Sequence, residues 1–257
     1  MMHVLRNSFL ACLLIAVTGA HAQAPDSLIV QGKNHIAEAV NKWDATAMQK
    51  ARAHFERLLA GKKHEALVHY YVGYCDYRLT IFYQQAKNQE MMKQHLEAAI
   101  THLEAAVKSN NKFADAYALL SSSYGQKISM APMLGMTLGP KSGMTMQSAL
   151  QLAPNNPRVI LLDAIGTYYK PAMFGGDKDK ALAGFKHAAE LFDKEKNTDP
   201  LQPDWGHAEA YAWIGVAYLD KKDAAAARTA FERALAIAPE YGWVKHQLYP
   251  QVADSKM

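Results

Sequence analysis

The chain has 257 residues, half of them hydrophobic, and carries 28 Lys and Arg against 24 Asp and Glu, a formal net charge of +4 with neutral histidines. A balance this weak, with no long basic run, argues against nucleic acid or anionic lipid as the partner. The two cysteines are Cys12, inside an N-terminal leader, and Cys75, so no internal disulfide framework is expected.

Residues 1–22 read as a secretory signal peptide. Arg6 supplies the positive region, Phe9 to Val17 the apolar run, and Ala20-His21-Ala22 the small-x-small cleavage site, with Gln23 as the new N-terminus. The run falls short of the ~20 residues a membrane-spanning helix needs, and Cys12 lacks the small, branched residues that precede a lipoprotein cysteine. Cleavage and release into the periplasm of a Gram-negative bacterium is the expectation. Residues 23–251 would form one helical domain with 252–257 as a tail, and no other apolar segment is long enough to span a membrane.

Along the mature chain the apolar residues recur at helical spacing, in pairs of segments. The first pair runs over roughly 27–42 and 51–61, with Asp44 as the N-cap of its second helix. The second opens with 65-EALVHYYVGYCDY-77, the third with Tyr117, Leu120 and Tyr124, and the fourth with Val159, Leu162, Ile165 and Tyr168. Segment 105-AAVKSNNKF-113 closes the second unit and 149-ALQLAPNNP-157 the third. Between them lies 127-KISMAPMLGMTLGPKSGMTMQ-147, with Pro140 read as the first residue of a helix running to Leu152. Gly175-Gly176-Asp177 reads as a turn ended by an Asp N-cap for a helix over 178–192.

The last unit, 208-AEAYAWIGVAYLDKKDAAAARTAFERALAIAPEY-241, places Tyr211, Ile214, Gly215 and Tyr218 at aromatic-x2-apolar-Gly-x2-Tyr spacing, followed by Ala227, Phe231, Ala234 and Pro239. Gly215 and Ala227 are small enough for two helices to approach, Tyr218 and Phe231 fill the space between them, and Pro239 ends the second helix. This pattern resembles the tetratricopeptide repeat, a helix–turn–helix unit of about 34 residues. It departs from that pattern in Tyr211 for Trp and Ile214 for Leu, both tolerant of volume, and in Asp76 at the tyrosine slot of the second unit. The fold expected is an all-α, right-handed solenoid of about five such hairpins, with 242–251 as a terminal cap. Small-slot spacings run longer than in the last unit for the middle three hairpins. Insertions are therefore expected at the helix–helix turns of those three, along one edge of the molecule.

The resemblance implies a concave surface lined by the first helix of each repeat, where peptides bind. Carried over position by position, the exposed residues there would be Tyr70, Tyr74, Tyr77 and Arg78, then Ser122 and Gln126, then Gly166, Tyr169 and Lys170. Phe82, Tyr83, Met133, Met136 and Phe174 would meet around an apolar mouth at the inserted edge, or pack as a satellite core. More coarsely, 169-YKPAMFGGD-177 is similar to a segment of exported bacterial repeat proteins. The helical plan also resembles the repeat components that accompany periplasmic solute transporters, which would make the mouth a small-ligand pocket.

Other chemistries find little footing. A phosphate loop needs Gly-x4-Gly-Lys-Ser/Thr after a strand, whereas Gly135 to Gly139 is one residue short and Pro140 separates Gly139 from Lys141. Met130, Met133 and Met136 offer thioethers that suit Cu(I), but methionine also fills irregular cores. His95 and His102 lie two turns apart on one helix and His64 and His69 five residues apart, neither a chelate. No cofactor, metal site or catalytic constellation is expected. The function indicated is a non-enzymatic scaffold that binds a protein or peptide through its groove and inserted edge. The alternative is a small-ligand or Cu(I) carrier using 127–147.

Overall fold

A computed structural model describes residues 24–253; the leader, and the expected tail from residue 254 on, lie outside the described residues. Five helical hairpins follow one another: α1 (Pro25–Lys42) with α2 (Ala45–Leu59), α3 (Glu65–Gln85) with α4 (Gln89–Ser109), α5 (Ala114–Met130) with α6 (Gly135–Leu152), α7 (Pro157–Tyr169) with α8 (Lys178–Lys194), and α9 (His207–Asp220) with α10 (Ala224–Ile237). A π-helical turn, Val244–Leu248, leads into α11 (Pro250–Ala253). Helices pack on their hairpin partners and on the adjoining hairpins, α2 lying against α3 at least as closely as against α1. This is the expected all-α solenoid; no strand occurs among the described residues, and no helix there is long and apolar enough to cross a membrane.

Local chemistry sets the helix starts. The Asp44 carboxylate accepts hydrogen bonds from the Thr46 and Ala47 amides, and Asp177 does the same for Asp179 and Lys180, which satisfies donors that the first helical turn leaves open. Gly175 takes φ +87°, and a Cβ on Gly176 would lie 1.7 Å from the Lys170 carbonyl oxygen, so the Gly-Gly pair is what lets this turn close. Between the paired helices, glycine meets a large side chain. A Cβ on Gly215 would stand 2.2 Å from the Phe231 ring, and one on Gly73 2.8 Å from Leu103. Gly32 and Phe55 repeat the arrangement in the first hairpin, at 2.4 Å.

The three insertions take three forms. In the second hairpin the extra residues lengthen both helices, and α3 and α4 each run 21 residues. In the third, a 3-10 turn at Pro132–Leu134 leads straight into α6. In the fourth, a loop with a 3-10 turn at Ala172–Phe174 projects between α7 and α8. Pro140 is a correction to the sequence reading: α6 already begins at Gly135, so the proline sits inside the helix, where its missing N–H leaves the Met136 carbonyl without its usual partner. The sequence reading also did not single out the long connection between α8 and α9, residues 195–206.

The end of the solenoid returns to its beginning. The Trp43 and Trp243 rings stack at 6.4 Å, and Gln85 accepts hydrogen bonds from Trp43 Nε1 and Gln247 Nε2, both at 2.9 Å. Val40 of α1 packs against both the main core and the C-terminal one.

Two glycines of the same type therefore carry opposite expectations. Gly215→Ala overfills the α9–α10 contact and should cost about 1–3 kcal/mol. Gly125→Ala, in α5 with open space around it, should gain about 0.5–1 kcal/mol from helix propensity. Thermal unfolding of the two variants checks the signs; equal shifts would mean that the glycine slot does not hold the hairpin.

Candidate functional site: the filled groove and the inserted edge

The α3 residues expected to be exposed in the groove are inside the protein: Tyr70, Tyr74, Tyr77 and Arg78 are each 5% exposed or less. Their cover is the chain itself. Residues 195–206 run back across the inner face, where the Tyr71 hydroxyl donates to the Leu201 carbonyl at 2.6 Å and Trp205 Nε1 to the Tyr70 hydroxyl at 2.8 Å. From α1, Lys33 Nζ donates to the carbonyls of Pro200 and Gln202 at 2.6 and 2.7 Å and pairs with Asp204 at 3.0 Å. Trp205 stacks on Tyr74 at 4.8 Å between ring centres. The segment lies in the groove much as a bound peptide would, held through its carbonyls and one aromatic anchor.

Below it, α3 and α9 are joined by a buried ion pair. Arg78 Nη1 donates to Glu209 Oε1 at 3.1 Å and Nη2 to Oε2, while Arg78 Nε donates to the Tyr74 hydroxyl at 2.9 Å. Burial alone would lower the Arg78 proton affinity; the Glu209 carboxylate more than offsets this, and the guanidinium stays charged. Beside the pair is a cavity of about 280 Å³, walled by Tyr74, Arg78, Trp205, Glu209 and Tyr241 among others. The Tyr241 hydroxyl on that wall is buried without a protein hydrogen-bond partner.

The other expected groove positions divide. Gln126 is partly covered, with a buried Oε1 that has no protein partner, whereas Tyr169 and Lys170 are exposed at the end of α7. At the inserted edge, Phe82 is buried edge-on against Trp43 at 4.6 Å, and Tyr83 stacks on His95 at 5.4 Å. Neither faces the expected mouth: both lie in the last turn of the lengthened α3, where Phe82 packs on Trp43 and Tyr83 on α4. Met133 and Met136 are 90% exposed, and Tyr169, Met173 and Phe174 are 67–82% exposed. These five stand where α5 and α7, which pack on each other, hand over to their partner helices.

The sequence reading also missed a polar seam between α3 and α4. The Nδ1 atoms of His69 and His102 are 3.0 Å apart. Two turns along both helices, the buried Asp76 carboxylate accepts from Arg52 Nε at 2.6 Å and is 2.7 Å from His95 Nδ1. These partners come from different helices, so spacing along one helix could not reveal them. Among the described residues, no group of three or more His, Cys, Asp or Glu side chains is placed to hold a metal ion. Cys75 is buried, and desolvation pushes its thiol well above the ordinary range, which favours the protonated form.

Two measurements test this arrangement. Arg78→Met alone strands the buried Glu209 charge and should cost about 3–5 kcal/mol, while Arg78→Met with Glu209→Leu should recover most of that loss; denaturant unfolding of the two variants decides. Burial lowers the His69 and His102 proton affinities, with Glu65 and Asp76 partly opposing. A histidine whose folded pKa lies below its unfolded value, ~6.5, contributes stability that is complete above that value and is lost as pH falls through the folded one. The melting temperature should therefore drop between about pH 7.5 and 5, less steeply in His102→Gln. An unchanged slope in that variant would remove the pair as the cause.

Comparison with known proteins agrees with this architecture. The family model described as "Tetratricopeptide repeat" matches residues 208–241. Among solved structures, the HusA haemophore from Porphyromonas gingivalis is similar at a TM-score of 0.63 and 22% identity, covering 78% of this chain and 96% of its own. TTC0263, a thermophilic tetratricopeptide-repeat protein of Thermus thermophilus, is similar at a TM-score of 0.60 and 18% identity, covering 90% and 99%. No curated protein matches the sequence.

Proposed function

We propose that this tetratricopeptide-repeat protein is an exported, periplasmic, non-enzymatic scaffold that holds a protein or peptide along its inserted edge. The observation that carries the reading is the pairing of a self-filled groove with a row of outward methionines and aromatics. The concave face, where a repeat of this kind takes its ligand, is occupied by residues 195–206. Among the described residues the most exposed large apolar side chains are Met133, Met136, Tyr169, Met173 and Phe174, on the tips of two consecutive hairpins, with Met144 and Leu152 further along α6. Flexible thioethers and aromatic rings adapt to an apolar partner surface, and exposed groups of them are unusual on a protein that meets only water.

A second reading, carriage of a small ligand, draws support from the cavity beside Arg78 and Glu209 with its unpartnered Tyr241 hydroxyl. The structurally similar HusA is a haemophore. The two readings use different surfaces. Under the first, Met133→Ser with Met136→Ser and Phe174→Ser should reduce retention of a partner from periplasmic extract by roughly tenfold or more, the loss of a few central anchors being costly. Met133→Leu with Met136→Leu should keep that retention, because apolar volume is preserved. Retention unchanged in the serine variant would sink the scaffold reading. Quenching of Trp205 fluorescence by an added small molecule, abolished in Tyr241→Phe, would establish the second.

A further inference from the structure

We propose that Met133, Met136 and Met173 are modification sites for small hydroperoxides, and that their sulfoxides turn the inserted edge from apolar to polar. The three thioethers are 82–90% exposed, whereas Met48 and Met146 are 0% and 6% exposed. Met133 lies in the 3-10 turn before α6, Met136 in the first turn of α6, and Met173 in the 3-10 turn of the next hairpin. None of the three belongs to a buried apolar cluster. They share the two tips with the exposed rings of Tyr169 and Phe174.

The chemistry asks the protein only for access, because a thioether carries its lone pair at every pH. The sulfur attacks one oxygen of hydrogen peroxide, so that an S–O bond forms and the O–O bond breaks. The departing hydroxide takes the proton from the transferred oxygen and leaves as water. Sulfur is oxidised and peroxide reduced by two electrons. The competing sulfur, Cys75, is 0% exposed, and desolvation holds its thiol protonated. The most accessible sulfur among the described residues is therefore thioether, on the tips of two consecutive hairpins. Oxidation replaces an unbranched apolar chain by a polar, chiral sulfoxide, which in a core disrupts packing. At these three positions it alters the surface alone, so the fold is kept while the edge loses its apolar character. That this loss releases a partner rests on the edge being the binding surface; the order of oxidation does not.

The test treats the mature chain, 23–257, with hydrogen peroxide. Peptide mass spectrometry follows each methionine, calorimetry the fold, and retention on a phenyl matrix the apolar edge. Met133, Met136 and Met173 should each gain one oxygen first. Met48 and Met146 should react at least about tenfold more slowly, since a buried thioether is reached only when the structure around it opens. Phenyl retention should fall at an unchanged melting temperature, and most of that fall should disappear in Met133→Leu with Met136→Leu and Met173→Leu. From periplasmic extract, the oxidised native chain should lose the partner that the leucine variant, treated alike, keeps. Met48 or Met146 oxidised as fast as the three, a melting temperature that drops with the first oxygens, or phenyl retention that does not move would each overturn the proposal. An oxidised chain that keeps a partner lost by the serine variant of the edge also overturns it, and leaves the scaffold reading standing. A partner kept by the serine variant sinks the scaffold reading instead, and oxidation order with phenyl retention still decides the modification sites.

Discussion

The buried pair between Arg78 and Glu209 is the constraint on which the rest of the molecule depends. It joins the second hairpin to the fifth across 131 residues of sequence, and both side chains are less than a tenth exposed. An arginine in such a position is tolerable only when a carboxylate meets its planar fork and its Nε–H also finds an acceptor. Tyr74 takes that donor, and the Tyr74 and Trp205 rings lie within cation–π distance of the guanidinium. A repeat solenoid is normally held by contacts between neighbours alone. Here a long-range polar contact also links two hairpins that are not neighbours in the chain, and the tryptophans at its two ends stack where it closes.

Curling decides what the inner surface can do. With α1, α3 and α9 brought together, the inner face is narrow enough for the α8–α9 connection to bridge it. Backbone groups in that connection would otherwise lack partners; Tyr71 and Lys33 supply them. Arg158 adds a second clasp, donating to Asp115 and Glu195 and reaching the Trp205 carbonyl at 3.4 Å. A groove so filled is part of the core. Exposed thioethers and rings are left at the hairpin tips.

Inside the hairpins the same economy of space recurs with different chemistry. Glycine against phenylalanine sets the helix spacing in the first and last repeats. The second hairpin instead threads a polar seam, His69–His102 and Asp76–His95, between two helices of 21 residues. Apolar packing would serve stability as well or better, and buried polar groups recur between other hairpins at Arg78–Glu209 and Arg158–Asp115.

Helix positions, their caps and the hairpin repeat were legible in the sequence because they depend on neighbours in the chain. Asp44 and Asp177 bond amides two and three residues on, and Gly215 meets Phe231 one short turn later. The edge was legible in part: Met133, Met136 and Phe174 lie on insertions that spacing revealed, whereas Phe82 and Tyr83 turn inward with the lengthened α3. Only the tertiary structure decided that Tyr70, Tyr74, Tyr77 and Arg78 would be buried, because exposure depends on what arrives from elsewhere. Glu209 and residues 195–206 arrive from more than a hundred positions away, and no local period encodes that arrival. The sequence by itself determined a solenoid of paired helices, since each repeat must bury its apolar stripe against the next. How far that solenoid closes depends on contacts between distant segments, among them the Arg78–Glu209 pair, the 195–206 connection and the Trp43–Trp243 stack, whose energies exist only once those segments have met.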